Sequence, residues 1–431
     1  MLRHSAALAL NANYGRGPRF SGMSHSEVHI PLPSSLRILF STQVRPLLRM
    51  KSAHCSRCGA SVRVEGERLQ ERGPFARDRR KRWLVFQSWI SRAINNVSAM
   101  RGRIGRSRKA AVVRLRHHAD LAPPSRGAEM VSAAAGPEGE LVVVWASQEN
   151  ADALTARTVT PAGASSADSP TAAPVSLHVS TYRPHLARSV SIVGQSLAHI
   201  AVQPLPGGGV LLVGARCRWR NGAAEYNAAV YDADGQLLRK GVLGDGIADV
   251  QTTLSGDIWV SYFDEGVYGN FGWGEADSPA PIGSPGLIRF RSDLSLAWRY
   301  PYQREFGAIS DCYALNVTGD EAWAYYYTDF PIVRVRAAAV AGWSTEVRGA
   351  HALVVADDRV ALVGGYGEHR HRVVAGSIQG EAFSVDRPTR LVMPNGRPVP
   401  RTATLLGRGS ELHVVAGLSW LKLGFEDLTT G

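Results

Sequence analysis

Four ionisable side chains recur at comparable places in a strand-rich chain: His199, Asp249, Asp311 and His351. They lie 11, 9, 11 and 9 residues ahead of the apolar runs beginning at 210, 258, 322 and 360. Offsets of equal parity put side chains on one face where hairpin lengths compensate. A second set, Arg216, Asp264, Glu265, Asp329 and Tyr366, follows such runs, and both sets are expected at one end of the fold. Crowded carboxylates repel unless a cation or a proton neutralises them. Oxygen ligands alone suit calcium; added imidazole suits zinc, manganese or iron. Asp249, Asp311 and His351 are therefore read as ligands of one divalent metal, or as acid–base groups, with Asp264, Glu265 and Asp329 assisting. The plain alternative is that Asp residues here bond neighbouring backbone amides and shape turns. Val267–Gly286 adds a further candidate, a long segment without strand character. Its Tyr268, Phe271 and Trp273 are spaced to stack on a flat or sugar-like ligand or to pack back onto the fold.

A repeat must position these groups. After residue 125 one unit recurs: an apolar strand, a turn with Gly or Asp, then a second apolar strand. The copies run from Val131 to Trp145, Ile200 to Val213, Val250 to Val260, Ala314 to Ala324, Ala352 to Val363 and Thr404 to Val415. The second strands begin at 141, 210, 258, 322, 360 and 412, a spacing that fits four-stranded blades. Outer halves repeat as well: Ile288–Trp298 aligns with Val333–Trp343. The last copy lacks an outer strand, and Ala111–Leu115 is expected to supply it and close the ring. The fold class is thus all-β, a six-bladed β-propeller over 111–431. Its inner strands would line a channel, and the candidate residues would gather at its mouth. Trp145, Trp259 and Trp323 are read as packing between blades.

Charge separates this region from what precedes it. Residues 1–110 hold 22 Lys+Arg against 5 Asp+Glu, and the remainder holds 27 against 32. The net +12 therefore belongs to an Arg-rich leader, expected to be disordered or to lie upstream of the true start. Within it Arg79–Asn95 has helical spacing and Cys55 and Cys58 form the one Cys-x-x-Cys. Arginine outnumbers lysine so strongly that GC-rich coding accounts for the excess, and nucleic acid is not the expected partner. No run of eighteen apolar residues exists, which excludes a helical membrane span. Four cysteines in 431 residues exclude a disulfide scaffold. Without an export signal the expected location is cytoplasmic and the expected state a monomer. Glu368-His-Arg-His-Arg372 is read as a solvated strand connection.

The repeats, with Gly246–Thr253 and Trp259–Gly266, resemble six-bladed propellers of the NHL, gluconolactonase-like and strictosidine synthase-like groups, and actinobacterial propeller proteins in particular. The resemblance covers about three-quarters of the chain and implies the fold more than an activity. Gluconolactonase-like enzymes hold a metal with Glu and Asn or Asp from different blades; here Asp and His stand at the strand starts, without a matching Asn pair. The expected function is binding of a small molecule or protein at the channel mouth through His199, Arg216, Asp264, Glu265, Asp329, Tyr366, Phe271 and Trp273. The alternative is a metal-dependent, lactonase-like hydrolase using Asp249, Asp311 and His351 with calcium, zinc or manganese.

Overall fold

Runs of Val, Leu, Ile and Trp alternating with turn residues resolve into six sheets, antiparallel but for one edge pair, arranged as a β-propeller. The computed structural model describes residues 111–429 except 160–162, 164, 276, 303 and 304, together with the short paired strands Ala53–His54 and Ser61–Val62. The expected leader helix at Arg79–Asn95 and the Cys55/Cys58 pair lie outside the described residues. The chain divides into two units, Met1–Lys109 and Ala110–Gly431. No described helix is long and apolar enough to cross a membrane.

From the channel outward, the first blade is Glu129–Ala135, Leu141–Ala146, Val175–Tyr182 and Leu186–Gln195. The second is Ile200–Leu205, Gly209–Gly214, Ala228–Tyr231 and Leu237–Gly241. The third is Ile247–Thr252, Ile258–Tyr262, Leu287–Phe290 and Leu296–Arg299. The fourth is Asp311–Thr318, Glu321–Tyr327, Ile332–Arg336 and Ala339–Trp343. The fifth has Ala350–Ala356, Arg359–Gly364 and Arg372–Gln379, whose outer edge pairs with both Ala382–Val385 and Thr389–Val392. The sixth is Thr404–Arg408, Glu411–Ala416, Ser419–Gly424 and, from the other end of the domain, Arg116–Asp120.

That last pairing corrects one expectation. Ala111–Leu115 does not complete the sixth blade. Ala111–Arg114 runs parallel to Thr389–Val392 at the edge of the fifth blade, and the strand after it, Arg116–Asp120, pairs antiparallel with Ser419–Gly424. Leu115, 1% exposed, sits between the two strands and joins the core of blades five and six.

Blade interfaces hold the core. Six apolar clusters occur among the described residues, one at each junction of neighbouring blades. The junction of blades six and one gathers Leu141, Trp145, Tyr182, Val415 and Trp420. Trp145, Trp259 and Trp323 are fully buried in second strands, as their repeat positions suggest. Trp259 faces Arg289 across the ladder and Trp323 faces Arg334, with each guanidinium over its ring at 5.5 and 5.3 Å. Such cation–π contacts add about 0.5–2 kcal/mol.

A polar network ties the inner strands together at the end of the channel opposite the mouth. Gln203, Gln251 and Asn316 occupy the same register position in blades two, three and four, opposite the second residue of each second-strand apolar run. Gln251 Nε2 donates to the Leu315 carbonyl at 2.9 Å and to Gly407 at 3.3 Å. Its Oε1 accepts from Val317 N at 2.8 Å and from Arg408 Nη1 at 2.9 Å. Arg408 also donates to the Thr252 carbonyl. Asn316 Nδ2 bonds the Leu353 and Gly409 carbonyls at 2.7 and 2.9 Å, and its Oδ1 accepts from Gly409 N at 2.9 Å. Gln203 Oε1 accepts from the amide and hydroxyl of Thr252, both at 3.2 Å. Blades three and six face each other, so the Gln251 bonds cross the axis. Gly407 permits the close approach of blades five and six: a Cβ there would lie 1.9 Å from the Leu353 carbonyl oxygen.

Gln251→Leu removes three donors or acceptors and leaves the buried Arg408 guanidinium without its amide partner. A hydrogen bond to a charged group contributes about 1.5–3 kcal/mol, so the variant should lose about 3 kcal/mol in urea unfolding of the full chain. A loss below about 1 kcal/mol would show that the network does not hold the ring.

Candidate functional site

A repeated backbone irregularity shapes the mouth. In blades one, three, four and five the inner strand carries a β-bulge at the same register, opposite the fourth and fifth residues of the second-strand apolar run. The bulged residues are Val131, Ala248, Tyr313 and His351. A bulge inserts an unpaired residue and re-aims its side chain. Ala248, Tyr313 and His351 accordingly line a cavity of about 190 Å³ in the channel, together with Asp249, Gln251, Ser261 and Cys312.

This arrangement sorts the candidates. Asp249 and His351 share the cavity, and Asp311 is not among its lining residues. Equal offsets were expected to bring all three together, but the bulges and unequal hairpins break that arithmetic. Asp249 is the residue after its bulge, His351 is the bulge itself, and Asp311 stands two residues before Tyr313. The hairpin of blade three has five connecting residues and those of blades four and five have two. No group of three or more His, Cys, Asp or Glu side chains among the described residues is placed to hold a metal ion. The expected metal triad of Asp249, Asp311 and His351 is therefore not assembled.

Asp249 borders the cavity and is otherwise enclosed. Its Oδ1 accepts from Val250 N at 2.8 Å and its Oδ2 from Gln251 Nε2 at 3.2 Å. Burial nevertheless raises its pKa to about 6, against the smaller opposing effects of these bonds and of Arg408. His351 is lowered, first by burial and then by Arg370 and His371. Its Nε2 is buried without a hydrogen-bond partner. Gly364, at φ +115°, makes room for the ring: a Cβ there would lie 2.1 Å from Nδ1. Tyr313 receives a hydrogen bond from the exposed Tyr366 hydroxyl at 3.0 Å. Cys312 is buried, with its thiol pushed up to about 12, chiefly by desolvation, so it is no nucleophile at neutral pH.

The remaining candidates lie outside this cavity. Asp311 is raised to about 6 by burial and then by Asp264. Asp264 opens the short helix Asp264–Tyr268 and accepts from the Glu265 amide at 2.9 Å, the local bonding expected of a turn aspartate. Asp329 is exposed in the turn after the fourth blade's second strand. His199, at φ 50°, bonds the Ala156 carbonyl at 2.7 Å. Arg216 is 6% exposed and makes a two-pronged pair with Asp245, Nε to Oδ1 at 2.9 Å and Nη2 to Oδ2 at 2.8 Å, plus Nη1 to Glu265 at 2.6 Å. Phe271 lies between Arg216 and Arg218, each 4.0 Å from its ring centroid. Trp273 is 4% exposed and donates to the Cys217 carbonyl at 2.7 Å. Phe271 and Trp273 thus pack back onto the fold and are not placed to stack on a ligand, whereas Tyr268 is 65% exposed with its hydroxyl 2.6 Å from Ser310 Oγ. Sequence reasoning missed Tyr313 and Gln251; their signal was the register shared across copies.

A family model described as the YxzG family matches residues 303–366, the fourth blade and the first hairpin of the fifth. No curated protein matches the chain. Among solved structures it is similar to the computationally designed Ika4 protein, at 15% identity over 44% of this chain and 97% of that one, TM-score 0.29. It is also similar to a luciferin-regenerating enzyme, at 10% identity over 72% and 94%, TM-score 0.37. The Cps50 (Swd1) β-propeller domain of Myceliophteria thermophila is similar at 9% identity over 70% and 98%, TM-score 0.36.

The folded-state pKa of Asp249, about 6, exceeds the 3.8 of a free side chain. The folded protein thus binds this proton more tightly than the unfolded chain. The stability it contributes is complete below about pH 4 and is lost as pH rises through 6. Asp249→Asn should therefore flatten the fall in Tm between pH 4.5 and 7.5, measured by calorimetry. Parallel Tm profiles for both proteins would refute the raised pKa.

Proposed function

We propose that this propeller binds a compact, uncharged polar molecule at the channel mouth. The observation that carries the reading is the cavity itself. The Gln251–Arg408 network stands at its far end, and Asp249 and His351 line its wall, with His351 Nε2 buried and unpartnered. Buried polar groups are ordinarily satisfied, so an unpartnered imidazole nitrogen beside a cavity favours a ligand that completes it. At about 190 Å³ the space is smaller than the roughly 300–1,000 Å³ of drug-sized sites. A molecule bearing hydroxyl or amide groups would donate to Asp249 and bond His351.

A second reading rests on one specific observation. A carboxyl raised to about 6 and a neutral imidazole border the same space, the pairing that acid–base hydrolysis uses. The two readings differ in what happens to the bound molecule.

Thermal-shift screening of the full chain against small polyols, amides and lactones should yield a compound that raises Tm. His351→Ala should weaken its binding at least tenfold, the order lost with one or two hydrogen bonds in a closed site. Recovery of the compound intact by mass spectrometry supports binding, and its steady conversion supports hydrolysis. Hits indifferent to His351→Ala and Asp249→Asn would place the ligand elsewhere.

A further inference from the structure

The segment Glu368–Arg372 is more than a solvated connection. His371 is 7% exposed, and its Nε2 is buried without a partner. The charges that act on its ring come from Arg370, Arg390 and Arg401, and all three depress its pKa behind the larger effect of burial. No carboxylate contributes. Arg370 reaches across to the loop before the sixth blade and donates to the Arg401 carbonyl at 3.2 Å. Arg372 and Arg390 stand directly opposite each other in the fifth blade's ladder, where like charges repel. Among the described residues none of these four arginines has a carboxylate at ion-pair distance, although most ion-paired arginines elsewhere in the domain have one within 3 Å.

Register places a second unsatisfied donor nearby. Thr389 pairs with Val373, and the Leu391 amide bonds the His371 carbonyl. Alternation along the strands then puts His371 and Thr389 on one face of the sheet, the face that packs Val373 and Leu391 against blade six. The Thr389 hydroxyl is buried and unpartnered too. Arg370 and Arg401, neither with a carboxylate at ion-pair distance among the described residues, thus act beside two buried polar groups that lack partners, while Arg372 and Arg390 alternate to the other face of the sheet.

We propose that the mouth-side seam of blades five and six is an oxyanion site that takes the phosphate group of a small molecule. Arg370 and Arg401 are its charged arms, and the buried, unpartnered His371 Nε2 is its inner polar group. A phosphate carries up to two charges and three free acceptor oxygens, which matches planar guanidinium donors better than a monovalent anion does. The proposal does not depend on the channel reading, although Arg370 and His371 also act on the ring of His351.

The test titrates full-length protein with inorganic phosphate, glycerol phosphate, acetate and chloride at matched ionic strength. Phosphate or its monoester should raise Tm saturably, by about 2–4 °C, and the tighter of the two identifies free ion or ester as the natural form. Acetate should bind at least tenfold more weakly. The exposed pair Arg370→Gln/Arg401→Gln should weaken phosphate binding at least tenfold, while Arg239→Gln, on the outer strand of blade two, leaves it unchanged. Bound phosphate should also raise the His371 pKa, read from its imidazole C2–H resonance, because an anion favours the charged ring. A purely structural role would leave that resonance unmoved. No shift beyond chloride, equal binding of acetate, or a phosphate effect indifferent to the double substitution would overturn the proposal.

Discussion

One amide and one guanidinium, those of Gln251 and Arg408, cross the axis of this propeller, and the rest of the domain is arranged around them. A ring of blades has apolar contact only between neighbours, so nothing in that packing fixes opposite blades relative to each other. Gln251 and Arg408 do so, by joining blade three to blade six, and Asn316 adds a link from blade four to blades five and six. Arg408 loses most of its hydration there, and burial brings its pKa down to about 10. The carbonyl of Thr252 and the amide oxygen of Gln251 replace the lost water. A channel spanned in this way is no longer a through-hole, and the space above the network becomes a recess with one polar floor.

The fold was legible because repetition averages out local ambiguity. Second strands observed from 141, 209, 258, 321, 359 and 411 differ by at most one residue from those read from the turn pattern. The closing segment was less legible. Ala111–Leu115 has the stronger apolar pattern, yet Arg116–Asp120, rich in His and Arg, is the strand in the sixth blade. An outer strand needs only one covered face, and Ala119 supplies most of it at 4% exposed.

The candidate site was legible in part. Asp249 and His351 do share a cavity. Asp311 does not join them, because a bulge changes which face a given offset reaches and single-sequence counting cannot see bulges. Arg216, Phe271 and Trp273 had the residue types of a binding surface. Once folded, Asp245 pairs with Arg216, the Cys217 carbonyl accepts from Trp273, and the Phe271 ring is flanked by Arg216 and Arg218. The network residues escaped notice for the opposite reason: Gln and Asn within apolar strands read as ordinary interruptions until their common register is known.

The pairing of Arg116–Asp120 with Ser419–Gly424 carries a consequence for synthesis. Asp120 and Ser419 are 299 residues apart in the chain. At roughly 5–20 residues per second, the ribosome makes the first strand about 15–60 s before its partner exists. Throughout that interval the Trp145 and Tyr182 side of blade one lacks its cover from Val415 and Trp420. The nascent protein is an open arc with a sticky flank, and only the arrival of Ser419–Gly424 lets it become a ring.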